Sequence, residues 1–243
     1  MEIEYFVHQD EWQKHFEYWK DEIFEWMGEI GLDMDKVHDV EIPDGDRAHY
    51  SSRTIDFEFD YPFGQKELFG LAYRGDYDLS KHAEASGEKL EYRFQDESGS
   101  QVFTPHVIEP SFGLDRTMLA LLVSAYREEG EGEDMRVYLK FDPKIAPYKM
   151  CVSPLLKNKP ELVQKAEEVF AHLKAEFPGV VWDDNGNIGK RYRRQDEIGT
   201  PFCLVIDFDT LEDASVTIRH RDDGSQERVK IADLTDYFQT KLS

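Results

Sequence analysis

Glu109, Ser111 and Arg116 lie in T-P-H-V-I-E-P-S-F-G-L-D-R (Thr104–Arg116). Side chains on a strand alternate between faces, so Val107, Glu109 and Ser111 share one face while His106, Ile108 and Pro110 take the other. A carboxylate and a hydroxyl therefore point the same way. Gly113 marks a turn, and Arg116 opens an apolar-faced helix running to Tyr126. At a helix start, beside free amides, a guanidinium presents a fork to phosphate oxygens that lysine cannot imitate. Near the N-terminus, Glu2 and Glu4 share a strand face opposite Ile3, Tyr5 and Val7. A further constellation mixes cation and aromatic: Lys190, Arg191, Tyr192, Arg193 and Arg194. That composition suits phosphate contact and base stacking; it equally describes a solvated helix face with Asp196 and Glu197 pairing it at helical spacing.

These residues need elements to hold them. Glu11–Ile30 carries Trp12, Phe16, Trp19, Ile23, Phe24 and Met27 at helical spacing, a core-facing stripe, and Gly31 follows as a stop. Strand-like runs come next at Thr54–Phe59, Lys66–Ala72, Leu90–Phe94 and Gln101–Ser111, across glycine-rich turns. They predict a mostly antiparallel sheet with flanking helices. The acidic stretch Glu128–Asp134 is read as the end of the helix that Arg116 opens, and the domain boundary is placed at 143/144. From Lys149 strand and helix alternate. K-M-C-V-S and V-V-W-D are strands around the helix Pro160–Glu176, and Ile188–Ile198 is a short helix. Phe202–Asp207, Ala214–His220 and Gln226–Lys230 are strands, and a closing helix begins at Ile231. The fold class is α+β in residues 1–143, followed by an α/β domain with a mixed sheet in residues 144–243.

Composition sets limits. A chain of 243 residues with 40% hydrophobic residues builds real cores. No apolar run approaches a membrane span, and M-E-I-E-Y lacks a basic-then-apolar leader, which points to the cytoplasm. Cys151 and Cys203 are lone thiols on apolar strands and are expected in the core. The net charge of -22 looks wrong for a protein that meets RNA. It is unevenly spread: residues 1–143 hold 14 Lys+Arg against 34 Asp+Glu, a net of -20, and residues 144–243 hold 15 against 17, a net of -2. An RNA-facing surface is feasible in the second part.

The block E-P-S-F-G-L-D-R resembles motif 3 of class II aminoacyl-tRNA synthetases, in the wording of homodimeric glycyl-tRNA synthetases. Met1–Val7, Ala48–Phe57, Lys66–His82 and Asn187–Cys203 resemble the same family in the same order, so the resemblance covers nearly the whole chain. It implies a partial class II antiparallel catalytic sheet followed by an anticodon-binding domain. It further implies a glycine–tRNA ligase that uses ATP and Mg²⁺, acts on glycine and glycine tRNA, and is a homodimer in its longer form. On this resemblance Glu2, Glu109, Ser111 and Gly113 face glycine, with Glu2 on its ammonium. Glu67, Leu68, Gly113, Leu114, Asp115 and Arg116 face ATP, with Glu67 holding the metal and Arg116 gripping the γ-phosphate end. The cluster Lys190–Arg194 falls in the RNA-binding domain. The family places motif 1 and the first part of motif 2 upstream of M-E-I-E-Y-F. The chain is therefore expected to be a C-terminal portion, inactive by itself.

Two other functions compete. One is a non-catalytic tRNA- or RNA-binding protein, or half of a split synthetase. The other is a metal-dependent hydrolase using Asp56, Glu58 and Asp60, although alternating acids usually mark a solvated strand face. Arg74, Asp76 and Asp78 either line the pocket or, as an Arg–Asp pair in a turn more often does, form a structural salt bridge; His49 and His82 are read as hydrogen-bonded structural histidines without metal partners.

Overall fold

The aromatic stripe of the first amphipathic segment becomes a helix, α1 (Trp12–Glu29), that buries Phe16, Ile23 and Met27. Its end has a local cause. Gly31, with φ of 81°, sends its N–H to Gly28, and Leu32 sends its N–H to Met27, the paired bonds of a Schellman stop. The computed structural model describes residues 1–96, 99–132 and 135–242, in two compact units, Met1–Val123 and Ser124–Ser243.

In the first unit, α1 covers a five-stranded antiparallel sheet built from β1 (Tyr5–Val7), β2 (Val37–Glu41), β3 (Arg53–Tyr61), β4 (Gly64–Gly75) and β7 (His106–Phe112). The strand order is β1-β7-β4-β3-β2. Alternation fixes the inward face: Ile55, Phe57 and Phe59 of β3, Phe69 and Leu71 of β4 and Ile108 of β7 are all buried beneath α1. A helix, α2 (Tyr77–Ser86), follows β4. The run expected as one strand over Gln101–Ser111 is two. Its first part, β6 (Gly99–Phe103), pairs with β5 (Tyr92–Asp96) in a separate hairpin. Pro105, which lacks an N–H, stands in the break before β7.

The helix that Arg116 opens is α3 (Leu114–Ala125). It ends one residue short of the expected Tyr126, before the acidic stretch, and a strand that was not expected follows it. Tyr126–Glu129 forms β8, paired antiparallel with β9 (Arg136–Leu139). Glu133 and Asp134 lie outside the described residues.

The second unit has a mixed sheet in the order β11-β10-β12-β13-β14. It comprises β10 (Met150–Pro154), β11 (Val180–Trp182), β12 (Phe202–Ile206), β13 (Ser215–His220) and β14 (Gln226–Lys230). The first three run parallel, β13 is antiparallel to β12, and β14 is antiparallel to β13 and so returns to the first direction. Every residue of β10 and β12 is buried, as central strands require. The helix α4 (Pro160–Glu176) packs Leu162, Ala166, Val169 and Leu173 on them. The remaining helices are α5 (Ile188–Glu197), α6 (Phe208–Asp213) and α7 (Leu234–Lys241). Cys151 and Cys203 are free, buried and opposite each other in the β10/β12 register. Burial pushes the Cys151 thiol up to about 12, so it stays protonated.

The hairpin β8–β9 belongs to this unit through charge. Asp196, only 3% exposed, receives Arg136 at 3.0 Å and Arg219 at 2.9 Å, and buried Arg221 donates to the carbonyls of Gly199 and Phe141. A buried carboxylate stripped of one cation is costly. Residues 124–243 are therefore expected to unfold cooperatively and to exceed residues 144–243 in stability by about 2 kcal/mol or more. Equal denaturation midpoints for the two fragments would place the hairpin outside the folding unit.

Candidate active site and nucleic-acid interface

The solvent-side face of the first sheet carries a row of small and polar residues. Cross-strand pairing sets Ser111 of β7 opposite Gly70 of β4, and Gly70 opposite Asp56 of β3; one step along, Glu109, Ala72 and Thr54 line up in the same way. A β-bulge at Phe57/Glu58 shifts the phase of β4. Leu68 and Phe69 both turn into the core, at 2% and 1% exposure, and Glu67 joins Gly70 and Ala72 on the open face.

Two clefts share this face. One, about 240 Å³, is lined by Tyr50, Thr54, Asp56, Glu67, Gly70, Ala72, Glu109 and Ser111, with Ile42 and Arg47 at its edge. The other, about 220 Å³, is lined by Met1, Glu2, Glu67, Leu68, Ser111, Gly113 and Arg116. Glu67 and Ser111 border both. Glu2 arrives because its segment bridges to Ser111, with Ile3 donating to the Pro110 carbonyl and Phe112 to the Met1 carbonyl. The structure thus gathers Glu2, Glu67 and the run holding Glu109, Ser111, Gly113 and Arg116 from three separate stretches. Leu68 can reach the second cleft only through its backbone. Leu114 and Asp115 are exposed on the first turn of α3 and line neither cleft.

Arg116 donates to the Glu67 carbonyl at 2.7 Å and to its carboxylate at 3.2 Å. Both side chains are about half exposed. Such a pair contributes little, so an anion can take the guanidinium. Glu109 is held differently. Arg74 donates to it at 2.6 Å, binds Asp78 with two nitrogens at 2.6 and 3.1 Å, and stacks on Tyr50 at 4.0 Å. The expected Arg–Asp pair is therefore structural and also fixes a cleft carboxylate; Asp76 instead accepts from Ser80. Burial and the nearby Glu109 raise the Glu4 carboxyl, with Arg74 opposing. His49 is held by ring-edge contacts with Tyr50 and Tyr77 rather than by the expected hydrogen bond.

The competing hydrolase reading joins Asp56, Glu58 and Asp60 of β3, against the usual reading of alternating acids as a solvated face. The structure separates them. Glu58 accepts from Gln65 and Asp60 meets His38, while Asp56 faces the first cleft. Among the described residues no group of three or more His, Cys, Asp or Glu could hold a metal ion. Gly70 and Tyr50 carry no site signal in the sequence, and Asp56 reads there only as part of its own row of acids, because the neighbours that make each a cleft residue come from other strands.

On α5 the basic cluster divides. Arg191 is 2% exposed and donates to the carbonyls of Pro154, Asp184 and Gly186. Arg194 grips Asp183 with two nitrogens, and Tyr192 packs beneath Arg219. Lys190 and Arg193 are exposed. Asp196 pairs with Arg136 and Arg219 rather than with the cluster.

Burial, then Glu67 and Glu58, push the Asp56 carboxyl up to about 6. The folded chain therefore holds a proton that the unfolded chain releases, and this group's contribution to stability falls as pH rises from about 4 to 6. Asp56→Asn removes that loss. At neutral pH the variant is expected to be more stable by about 1–2 kcal/mol, allowing for solvent screening, with the difference vanishing near pH 4. Denaturation across that range checks it; a variant less stable at every pH would overturn the account.

Residues 149–241 match the family model described as "Anticodon binding domain". All 243 residues align with proteins named glycine–tRNA ligase: 45% identity with that of Clostridium acetobutylicum and 47% with that of Lachnospira eligens, each covering 51% of the relative. Over 244 aligned residues the identity is 42% with that of Borrelia hermsii, covering 54% of it. The chain spans about half the length of these curated relatives. The whole chain is therefore similar to glycine–tRNA ligases over about half their length, and the match to the anticodon binding domain lies within the second unit.

Proposed function

We propose that these residues supply the glycine- and ATP-facing part of a glycine–tRNA ligase and the domain that reads its tRNA. One observation carries the proposal: Glu109 and Ser111 stand beside Glu67 on one sheet face, with Arg116 at the adjoining helix start. Glycine offers only an ammonium, a carboxylate and the lack of a side chain. Carboxylates and a hydroxyl on the cleft face receive the ammonium. Rejection of larger amino acids by clash needs no editing site.

The activation step places the glycine carboxylate in line with the α-phosphorus of ATP. Arg116, released from Glu67, neutralises the departing phosphates, and the tRNA terminal hydroxyl later takes the glycyl group. Glu67, an oxygen donor at the border of both clefts, fits one position on a hard cation. Mg²⁺ bound there by phosphates and this single carboxylate would supply charge neutralisation. The names of the relatives, all glycine–tRNA ligases, support ATP, glycine and glycine tRNA as the partners. A homodimer and a cytoplasmic location belong to the same proposal; no helix among the described residues is long and apolar enough to cross a membrane. The sequence boundary at 143/144 remains proposed as the catalytic–anticodon division.

Glycine-dependent ATP–pyrophosphate exchange tests the reaction. The 243 residues alone are expected to show little of it, and supplying the rest of a relative's chain to restore it. In the restored enzyme Arg116→Ala should lower kcat by roughly 10²–10³. Ser111→Ala and Glu109→Gln should each raise KM for glycine about tenfold or more, with ATP little changed. Equal losses for both substrates would reject the assignment of this face.

Recognition of tRNA has its own readout. Replacing exposed Lys190 and Arg193 together should flatten the salt dependence of glycine-tRNA binding by about 2 units of slope. An unchanged slope would remove α5 from the interface.

A further inference from the structure

Gly70 has an ordinary backbone: its φ is not among the positive values found at eleven other glycines. What forbids a side chain is space. A Cβ there would stand 2.9 Å from the Ser111 hydroxyl, 3.7 Å from Glu67 Oε1 and 4.0 Å from Asp56 Oδ1. Three oxygens from three strands thus look onto one bare Cα. They are acceptors or, for the hydroxyl, able to accept, and a primary ammonium carries three donors.

The charges around this point are unequally matched. Glu109 is answered by Arg74 and Glu67 by Arg116. Arg47, which lines the cleft itself, is occupied by the carbonyls of Ile42 and Ser52 and by Asp44. Asp56 is half-buried and has neither cation nor hydrogen-bond donor among the described residues. Its neighbours Glu67 and Glu58 are acids, and burial with their charge raises its carboxyl. A partly desolvated carboxylate facing a cleft without a partner is satisfied when the ligand brings one.

We propose that Asp56 is a further substrate-recognition residue, receiving the ammonium group of the amino acid across the bare Cα of Gly70 from Ser111. The inference rests on the glycine-binding reading above and adds to it a residue on β3. Gly70 keeps the oxygens converged: a methyl at that position pushes the Ser111 hydroxyl aside. Asp56 binds; no proton transfer or bond change is assigned to it.

The test uses the 243-residue chain and NMR titration with three probes: glycine, glycolate (which keeps the carboxylate and replaces the ammonium by a hydroxyl), and ATP. Asp56→Asn should weaken glycine at least tenfold, the lower end of losing a charge-assisted hydrogen bond. Glycolate and ATP binding should change less than threefold, and Asp56→Glu should recover part of the glycine affinity. Glycine should also move the carboxyl carbon resonance of Asp56 in the parent chain. If parent and Asp56→Asn bind glycine equally, Asp56 has no part in recognition while the glycine pocket stands. Loss of glycine and ATP together, or a variant that does not fold while Asp56→Glu binds like the parent, makes Asp56 a structural support and overturns the proposal. A parent chain whose resonances ignore glycine at millimolar concentration and above removes the pocket and this residue together, since every group invoked lies within these residues.

Discussion

The pairing of β4 between β3 and β7 is the constraint on which the first unit depends. Gly70, Ala72 and Arg74 lie on the cleft side of the sheet only because Leu71 and Tyr73 face α1. A slip of one residue would bury Arg74 and turn Leu71 outward, at a cost no sheet of this size absorbs. The same pairing sets Ser111 against Gly70 and Glu109 against Ala72. The apolar core therefore holds the polar row in place, and the site inherits its precision from packing on the opposite face. Two irregularities interrupt the pairing: one falls at Tyr73/Gly75 on the β7 side, and the bulge at Phe57/Glu58 delivers Glu67 to the open face and gives the core Leu68 and Phe69 in succession.

Charge is organised around individual buried or half-buried carboxylates rather than by overall balance. Arg74 serves Asp78 and Glu109 at once, and Tyr50 covers it. In the second unit Asp196 ties β9 to β13 through Arg136 and Arg219, so a hairpin that carries little core of its own is anchored by one acid. Arg191 does comparable work with three carbonyls. A chain of net charge -22 thus commits several of its arginines to internal partners. Lys190 and Arg193 are the exposed members of the α5 cluster, Arg193 with a hydrogen bond to the Met135 carbonyl at 3.3 Å.

Helices and strands with strong periodicity were legible in the sequence. The bounds of α4 and β14 agree with expectation, and α1 differs by one residue at each end, because their own side chains decide which face is apolar. The edge strand β2, the hairpin β8–β9 and the short helix α6 carry no such signal. Val37–Glu41 is half-exposed and exists as a strand because β3 lies beside it. Tyr126–Glu129, wholly exposed, pairs with a partner separated from it in sequence. α6 follows from a capping box between Asp207 and Thr210 and ends at Ala214 in the left-handed region, details too local for a periodicity to register.

For the site, sequence by itself determined residue types and faces: Glu109 and Ser111 on one side of a strand, Arg116 at the start of a helix, and a family resemblance that named Glu2 and Glu67. These follow from spacing within a single element, or from matched motifs, and need no long-range contact. Tertiary structure decided the company they keep. Asp56 left a supposed row of three acids and joined Ser111 across Gly70; Arg74 extended from a local ion pair to Glu109; Arg191 was withdrawn from the surface. Each depends on which strand lies next to which and with what register. That information resides in packing between residues tens of positions apart, where alternation along one strand is silent.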